Sequence, residues 1–341
     1  MLVSSLQPLQ QGDLVASLTK ARAEPVKIFV AGASGAAGRQ LVPVLVQAGH
    51  SVVGTMRDPG KMDAVRAAGA EPLLVDALDR VAVRAAVMQA RPDVVIHELT
   101  ALTALTDLRK LEAAFALTNR LRTEGLDYLL EAAREAGARR FIAQSYTGWT
   151  NGLDSGPVKT EADPLPTDPP RAFRRILEAI RYLEATVPAA PGLEGLVLRY
   201  GNLYGPGTSI GEGGDVLEEV RRRRLPLIGK GTGVWSWVHV EDAARATLAA
   251  VERGAPGIYN IVDDDPAPVS EWLPFLAAAV AAQPPRRVPA WLARFFVGEH
   301  GVAWMLRSRG ASNAKAKREL GWQPVFASWR DGFRSGLGPR A

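Results

Sequence analysis

The chain has 341 residues, 47% apolar and 23% charged, an ordinary globular balance with material for one large core or two modest ones. Its 41 Lys and Arg against 36 Asp and Glu leave +5, which suits an anionic ligand but is too small and scattered for nucleic acid. Without cysteine, disulfides and thiolate chemistry are excluded; four histidines with no close helical spacing argue against a metal, and no apolar run approaches a membrane span.

Residues 1–24 lack a basic start followed by an apolar core, so they read as an arm ahead of the folded region, and the expected compartment is the cytoplasm. Ile28–Ala31 read as a strand. Gly32, Gly35 and Gly38 follow at once, and Leu41, Val42, Val44 and Leu45 keep a helical rhythm. A strand feeding a glycine turn that opens a helix sets backbone N–H groups and a positive helix end beside an anion. The spacing is G-x-x-G-x-x-G rather than G-x-G-x-x-G. We expect a dinucleotide over Gly32, Ser34, Gly35, Ala36, Ala37 and Gly38.

Strand Ser51–Met56, helix Lys61–Ala68, strand Glu71–Val75, helix Val81–Gln89 and strand Asp93–His97 come next. Strands and helices alternating at this spacing indicate βαβ units and a parallel sheet. A long helix is expected over Leu108–Ala136, stopped by Gly137, then a strand over Arg140–Ser145. After a loop at 150–170, Phe173, Ile176, Leu177, Ile180, Leu183 and Val187 mark one face of a helix, and Leu196–Tyr200 is a sixth strand. Beyond it come a strand at Trp235–Val240, a helix from Glu241, a strand at Ile258–Ile261 and several short helices rich in tryptophan.

Several residues stand where ligands would sit. Asp76, followed by Ala77, is placed to accept from an adenine amino group or to cap the next helix. His97, with Leu99 two residues on, ends a strand at the sheet's carboxyl edge, as a cofactor neighbour or as a buried, satisfied histidine. Met56 takes the place where an acidic side chain would hold a ribose 2′-hydroxyl, and Arg57 follows. A guanidinium pairs with a 2′-phosphate, so NADP is expected, with NAD the alternative should Asp58 take the ribose.

Asp93-Val-Val-Ile-His97, Leu198-Arg-Tyr-Gly-Asn-Leu-Tyr-Gly-Pro-Gly207, Trp237-Val-His-Val-Glu-Asp-Ala-Ala-Arg-Ala246, Gly257-Ile-Tyr-Asn-Ile261 and Lys317-Arg-Glu-Leu-Gly-Trp-Gln-Pro324 lie in order behind the glycine loop. Together they resemble the extended short-chain dehydrogenase/reductase family, the epimerase/dehydratase group, over residues 26–335. The resemblance implies an α/β fold: a Rossmann-type doubly wound parallel sheet over 25–205, with 235–262 returning to it, and a smaller, partly interleaved substrate cap in 206–234 and 263–335. It implies a nicotinamide cofactor and chemistry at a carbonyl or carbinol carbon of a small molecule. It also places Tyr200 and Asn202 beside the nicotinamide, and a homodimer in which the two long helices pair across a two-fold axis. Leu121, Tyr128, Leu129, Ile180 and Val187 are the candidates for a second apolar stripe there.

The family's proton-transfer device, a tyrosine with a lysine four residues on, is missing. None of the six tyrosines has such a lysine, and Ala172 and Ile176 align with the two positions. What remains near the end of the fifth strand is Ser145, Tyr146 and Thr147, the expected proton-transfer groups, with Lys159 the only lysine in the loop above. The leading reading is an NAD(P)-dependent oxidoreductase, epimerase or dehydratase with altered acid/base residues. Its rival is a catalytically silent NADP-binding sensor of the same fold.

Overall fold

The computed structural model describes residues 24–102, 111–148 and 156–339. Strand Lys27–Ala31 (β1) alternates its side chains between two cores, Ile28 and Val30 into one, Phe29 and Ala31 into the other. Helix Ala36–Gln47 (α1) lays Leu41, Val42 and Leu45 on the first of these. Strands Ser51–Met56 (β2), Glu71–Leu74 (β3), Val94–His97 (β4), Arg140–Tyr146 (β5), Glu194–Tyr200 (β6) and Gly257–Ile261 (β7) join β1 in the order β7-β6-β5-β4-β1-β2-β3. All pairings are parallel, and Ile28 stands opposite both Val52 on β2 and Val94 on β4. The chain leaves β3 and restarts on the far side of β1, so the order reverses between β1 and β4. A ligand crevice opens at such a switch point, outside the carboxyl ends of the strands.

Helices Met62–Ala67 (α2) and Arg80–Ala90 (α3) make the early crossovers. The single helix expected over 108–136 is two, Leu111–Arg122 (α4) and Glu124–Glu135 (α5), while 108–110 lie outside the described residues. Thr123 breaks the run at φ −114°, ψ −84°, and its hydroxyl donates to the Asn119 carbonyl. Back-bonding by a β-branched residue bends a helix. Glu124 and Asp127 then stand in the first turn of α5, beside its positive end. Helix Arg174–Thr186 (α6) packs against α4, helix Asp215–Arg221 (α7) follows β6, and Val240–Glu252 (α8) packs against α1 on the opposite face.

The strand expected at Trp235–Val240 is also two pieces. Val234–Trp235 pairs antiparallel with Ala267–Pro268, Trp237–His239 pairs in parallel with Asn202–Tyr204, and Val240 already opens α8. A third core gathers Trp235, Trp237, Trp272, Trp329 and Phe333 with helices Val269–Ala279 (α9) and Ala290–Arg307 (α10). Trp304 on α10 stacks over Trp235 with ring centres 4.5 Å apart. The tryptophan-rich region is thus mostly packing, but Trp291, Phe295 and Phe296 at the start of α10 stay exposed.

The stripe expected to carry a homodimer is spent internally. Leu121, Leu129, Ile180 and Val187 are buried in the chain's own cores, and Tyr128 packs half-buried beside them.

Candidate active site

The glycine loop does three different jobs. Gly32 has φ +97°, and a Cβ there would stand 2.9 Å from the Glu98 carbonyl, so both backbone hand and space demand glycine. A Cβ on Gly38 would come within 2.3 Å of the Gly32 carbonyl; this residue lets α1 fold back onto its own loop. Gly35 has an ordinary φ of −73° and a built Cβ meets only the Gly32 carbonyl, at 3.3 Å. No side chain caps α1 and no acidic residue lies in its first turn. Its first N–H groups are therefore available to an anion. These residues fit a dinucleotide pyrophosphate.

At the end of β2, Arg57 is exposed, and Asp58 accepts from Gly60 N at 2.9 Å to hold the turn Pro59–Lys61. Asp76 is exposed and accepts from Leu78 N at 3.0 Å; Asp79, not Asp76, caps α3. Ala77 is buried and Leu99 is half-buried against the second core. Arg39, which the sequence reading passed over, reaches from α1 to the Gly207 carbonyl at 3.2 Å.

Three expected site residues are turned inward. The His97 ring is buried, with Nε2 3.0 Å from the Leu121 carbonyl on α4, and burial pulls its pKa down, so it stands neutral with Nε2–H as the donor. Tyr200 is fully buried, and its hydroxyl lies 2.8 Å from Glu98 Oε1 and 2.5 Å from Thr247 Oγ1. Ser145, expected as a proton donor, is 1% exposed and donates to Glu184 Oε1 at 2.7 Å. The same carboxylate takes a two-pronged contact from Arg199, at 2.8 and 2.6 Å, and both side chains of that pair are buried. The Ser145 hydroxyl is thus committed to a buried ion pair behind the strand ends.

Tyr146 is the remaining phenol. Its hydroxyl donates to Asn202 Oδ1 at 2.5 Å, and Asn202 Nδ2 donates to the Ser236 carbonyl. Burial raises the Tyr146 pKa well above the usual phenol range, so it keeps its proton at neutral pH. Thr147 is buried and its N–H bonds the Tyr200 carbonyl. Lys159 does not stand free in a loop: it lies in the short strand Val158–Lys159, paired with Gly310–Ala311, 3.7 Å from the Asp163 carboxylate. At the two positions of the missing pair, Ala172 is half-buried and Ile176 fully buried among Leu111, Phe115, Phe173 and Ile180.

The family model for the NAD dependent epimerase/dehydratase family matches residues 28–262. The chain belongs to this family. It is an NAD(P)-dependent enzyme of the extended short-chain dehydrogenase/reductase class. A 3-diazoavenalumate denitrifying reductase from a Streptomyces species is 46% identical over 310 residues, covering 90% of this chain and 99% of the relative. A ketoreductase of Stigmatella aurantiaca, named for a farnesylated dihydroquinoline oxide, is 28% identical over 87% of this chain and 92% of its own. Among solved structures, a UDP-glucose 4-epimerase of Thermotoga maritima with UDP-glucose matches 91% of this chain and 97% of its own at TM-score 0.72 and 25% identity. The fold recurs in a Thermus thermophilus epimerase with NAD and a human epimerase-family protein with NADPH, at 24% and 17% identity and TM-scores 0.68 and 0.67, each covering 91% of this chain and 97% and 98% of theirs.

Within this family the chain keeps the glycine loop and lacks the tyrosine–lysine pair. Sequence reasoning also missed Glu98 just past β4, Glu184 on α6 and Arg122 at the end of α4, all buried. The signal was a charge breaking an apolar pattern: Glu98 follows Val94–Ile96, and Arg122 ends the helical stripe Leu111, Phe115, Thr118. Among the described residues no helix is long and apolar enough to cross a membrane, and no cluster of side chains could hold a metal.

Proposed function

We propose that the protein is an NADPH-dependent reductase that replaces an aryl diazo group by hydrogen and releases dinitrogen. The observation that carries this is a dinucleotide cradle beside a cleft with no acid/base pair: alanine and isoleucine stand at the two positions, and the one phenol at hand is locked onto Asn202. The bound nicotinamide supplies hydride. A carbonyl that takes hydride becomes an alkoxide and needs a proton from the protein. An aryl diazonium does not. Cationic arene-diazonium plus hydride gives neutral arene plus dinitrogen: the carbon–nitrogen bond breaks, the new carbon–hydrogen bond forms, and charge and atoms balance with no proton drawn from a side chain. The named activity of the Streptomyces relative, 46% identical along nearly its whole length, supports the same chemistry.

In this reading the chain's own residues bind and orient. Gly32–Gly38 and the start of α1 hold the pyrophosphate, Asp76 and Ala77 border the adenine, and Leu99, Tyr146 and Asn202 border the nicotinamide. Residues 206–234 and 263–335 form the substrate cap. Arg57 takes the 2′-phosphate while Asp58 is occupied by its turn. Arg57→Ala should weaken NADP binding by about tenfold, about 1.4 kcal/mol, and leave NAD unchanged; equal losses in the two titrations would refute the assignment. A cytoplasmic homodimer completes the proposal.

The test is to supply an aryl diazonium with NADPH carrying deuterium at the transferring carbon. Dinitrogen release and deuterium on the ring carbon are expected; recovery of unreacted diazonium would sink the proposal. A carbonyl reductase is the second reading, favoured by the named activity of the Stigmatella relative and requiring Tyr146 to turn its proton from Asn202 to the substrate. The two readings part on Tyr146→Phe. Carbonyl reduction should lose about tenfold or more in kcat, whereas diazo reduction should stay within threefold.

A further inference from the structure

Helix α4 carries a buried stripe at helical spacing: Leu111, Phe115, Thr118 and Arg122. The first two join Phe173, Ile176, Leu177 and Ile180 in a wall against which Tyr146, Ala172 and Trp304 pack half-buried. Thr118 Oγ1 accepts from Ala101 N, and the Leu121 carbonyl faces His97, so the end of α4 is docked along the segment leaving β4 at the switch point. The stripe therefore lies on the buried side of α4 and ends, beside His97 at the end of β4, in a cation.

That cation is unusual. Arg122 is 3% exposed, and its Nη1 is buried without a hydrogen-bond partner. The one carboxylate that acts on it, Glu184, is already held by Nε and Nη2 of Arg199 and by Ser145. Among the described residues no carboxylate comes within ion-pair distance of Arg122. Its neighbour His97 is neutral. The cluster of Arg122, Arg199 and Glu184 thus holds one surplus positive charge. The C-terminal end of α4 compensates for about half a charge at most. A buried guanidinium left in this state costs stability, and folds keep such groups where a ligand completes them.

We propose that Arg122 anchors the substrate by receiving an anionic oxygen, the carboxylate of an aromatic acid. This rests on the reading of the cleft as that of an aryl diazo reductase, and gives its substrate class: an aromatic carboxylate. A planar guanidinium with five donors matches a carboxylate two-to-two. Burial destabilises the charged form and lowers the Arg122 pKa to about 10, which still leaves it a cation at neutral pH.

Binding can be read without turnover. Calorimetry on the NADP-loaded enzyme compares para-hydroxycinnamate with its methyl ester, which keeps the ring and loses the charge. The wild type should bind the acid about tenfold or more tightly than the ester. Arg122→Gln should abolish that preference, Arg122→Lys should restore part of it, and NADP affinity should stay within twofold in both. Arg122→Met, which keeps the chain length and removes the charge, should raise the melting temperature of the unliganded enzyme. Equal affinity for acid and ester in the wild type would overturn the proposal, as would an Arg122→Gln enzyme that keeps the preference or loses NADP instead. A melting temperature lowered in Arg122→Met would mark the group as structural and also overturn it. Failure of the diazonium assay with the acid preference intact would remove the reaction and leave the anchor standing.

Discussion

Glu98 is a carboxyl folded under the glycine loop, 5% exposed, with one oxygen bonded by the Tyr200 hydroxyl and the other without a partner. Burial pushes its pKa from the ordinary 4.5 up to about 8, so the folded protein holds this proton where the unfolded chain has released it. The sign follows: this group's contribution to stability is greatest below about pH 4.5 and is lost as pH rises to about 8. The slope approaches about 1.4 kcal/mol per pH unit. Glu98→Gln keeps an acceptor for Tyr200 and cannot ionise. Its melting temperature should therefore exceed that of the wild type at pH 8 and converge with it in acid. Parallel curves across that window would show that Glu98 ionises normally. At this scale the sequence was legible where backbone geometry dictates identity, as at Gly32 and Gly38. It was not legible for Ser145, Tyr200 and His97, because which way a strand-end side chain turns depends on neighbours such as Glu184, Glu98 and Leu121 that lie far away in sequence.

Among the elements, β5, β6 and α6 are tied behind the crevice by one carboxylate. Glu184 on α6 meets Ser145 on β5 and Arg199 on β6, and the Arg199–Glu184 pair is nearly solvent-free. Breaking a buried pair from one side strands the other charge, at about 3–5 kcal/mol. Glu184→Gln should destabilise by roughly that amount in denaturant titration, more than Ser145→Ala, which removes a neutral donor worth about 1 kcal/mol. Equal effects would mean the Arg199 guanidinium finds another partner. Periodicity placed all seven main-sheet strands, since each is an apolar run bounded by turn residues. It merged α4 with α5 because hydrophobic spacing continues through Thr123; only the local hydroxyl-to-carbonyl bond and the acidic turn that follows betray the break. It likewise joined two short strands at Trp235–His239, whose pairing partners lie on different segments.

For the whole molecule, the question is what covers the outer faces of α4 and α6. Apolar residues proposed for a dimer are committed to the interior, and the outward positions Glu112, Arg120, Arg174, Arg175 and Glu178 are charged. Arg175 already reaches Glu112 at 3.2 Å within one chain. A two-fold pairing of these helices would thus be held by charges in solvent, and exposed charge pairs weaken as the screening length falls from about 30 Å at low salt to about 3 Å at high salt. Sedimentation should find a dimer at low ionic strength that dissociates as salt is added. Arg175→Glu should weaken it further, by reversing one of the outward charges of this face. A dimer that tightens as salt is added would move the interface to the exposed Trp291, Phe295 and Phe296 on α10, where burial is apolar and salt strengthens it. A monomer at micromolar concentration in every buffer would remove the homodimer altogether.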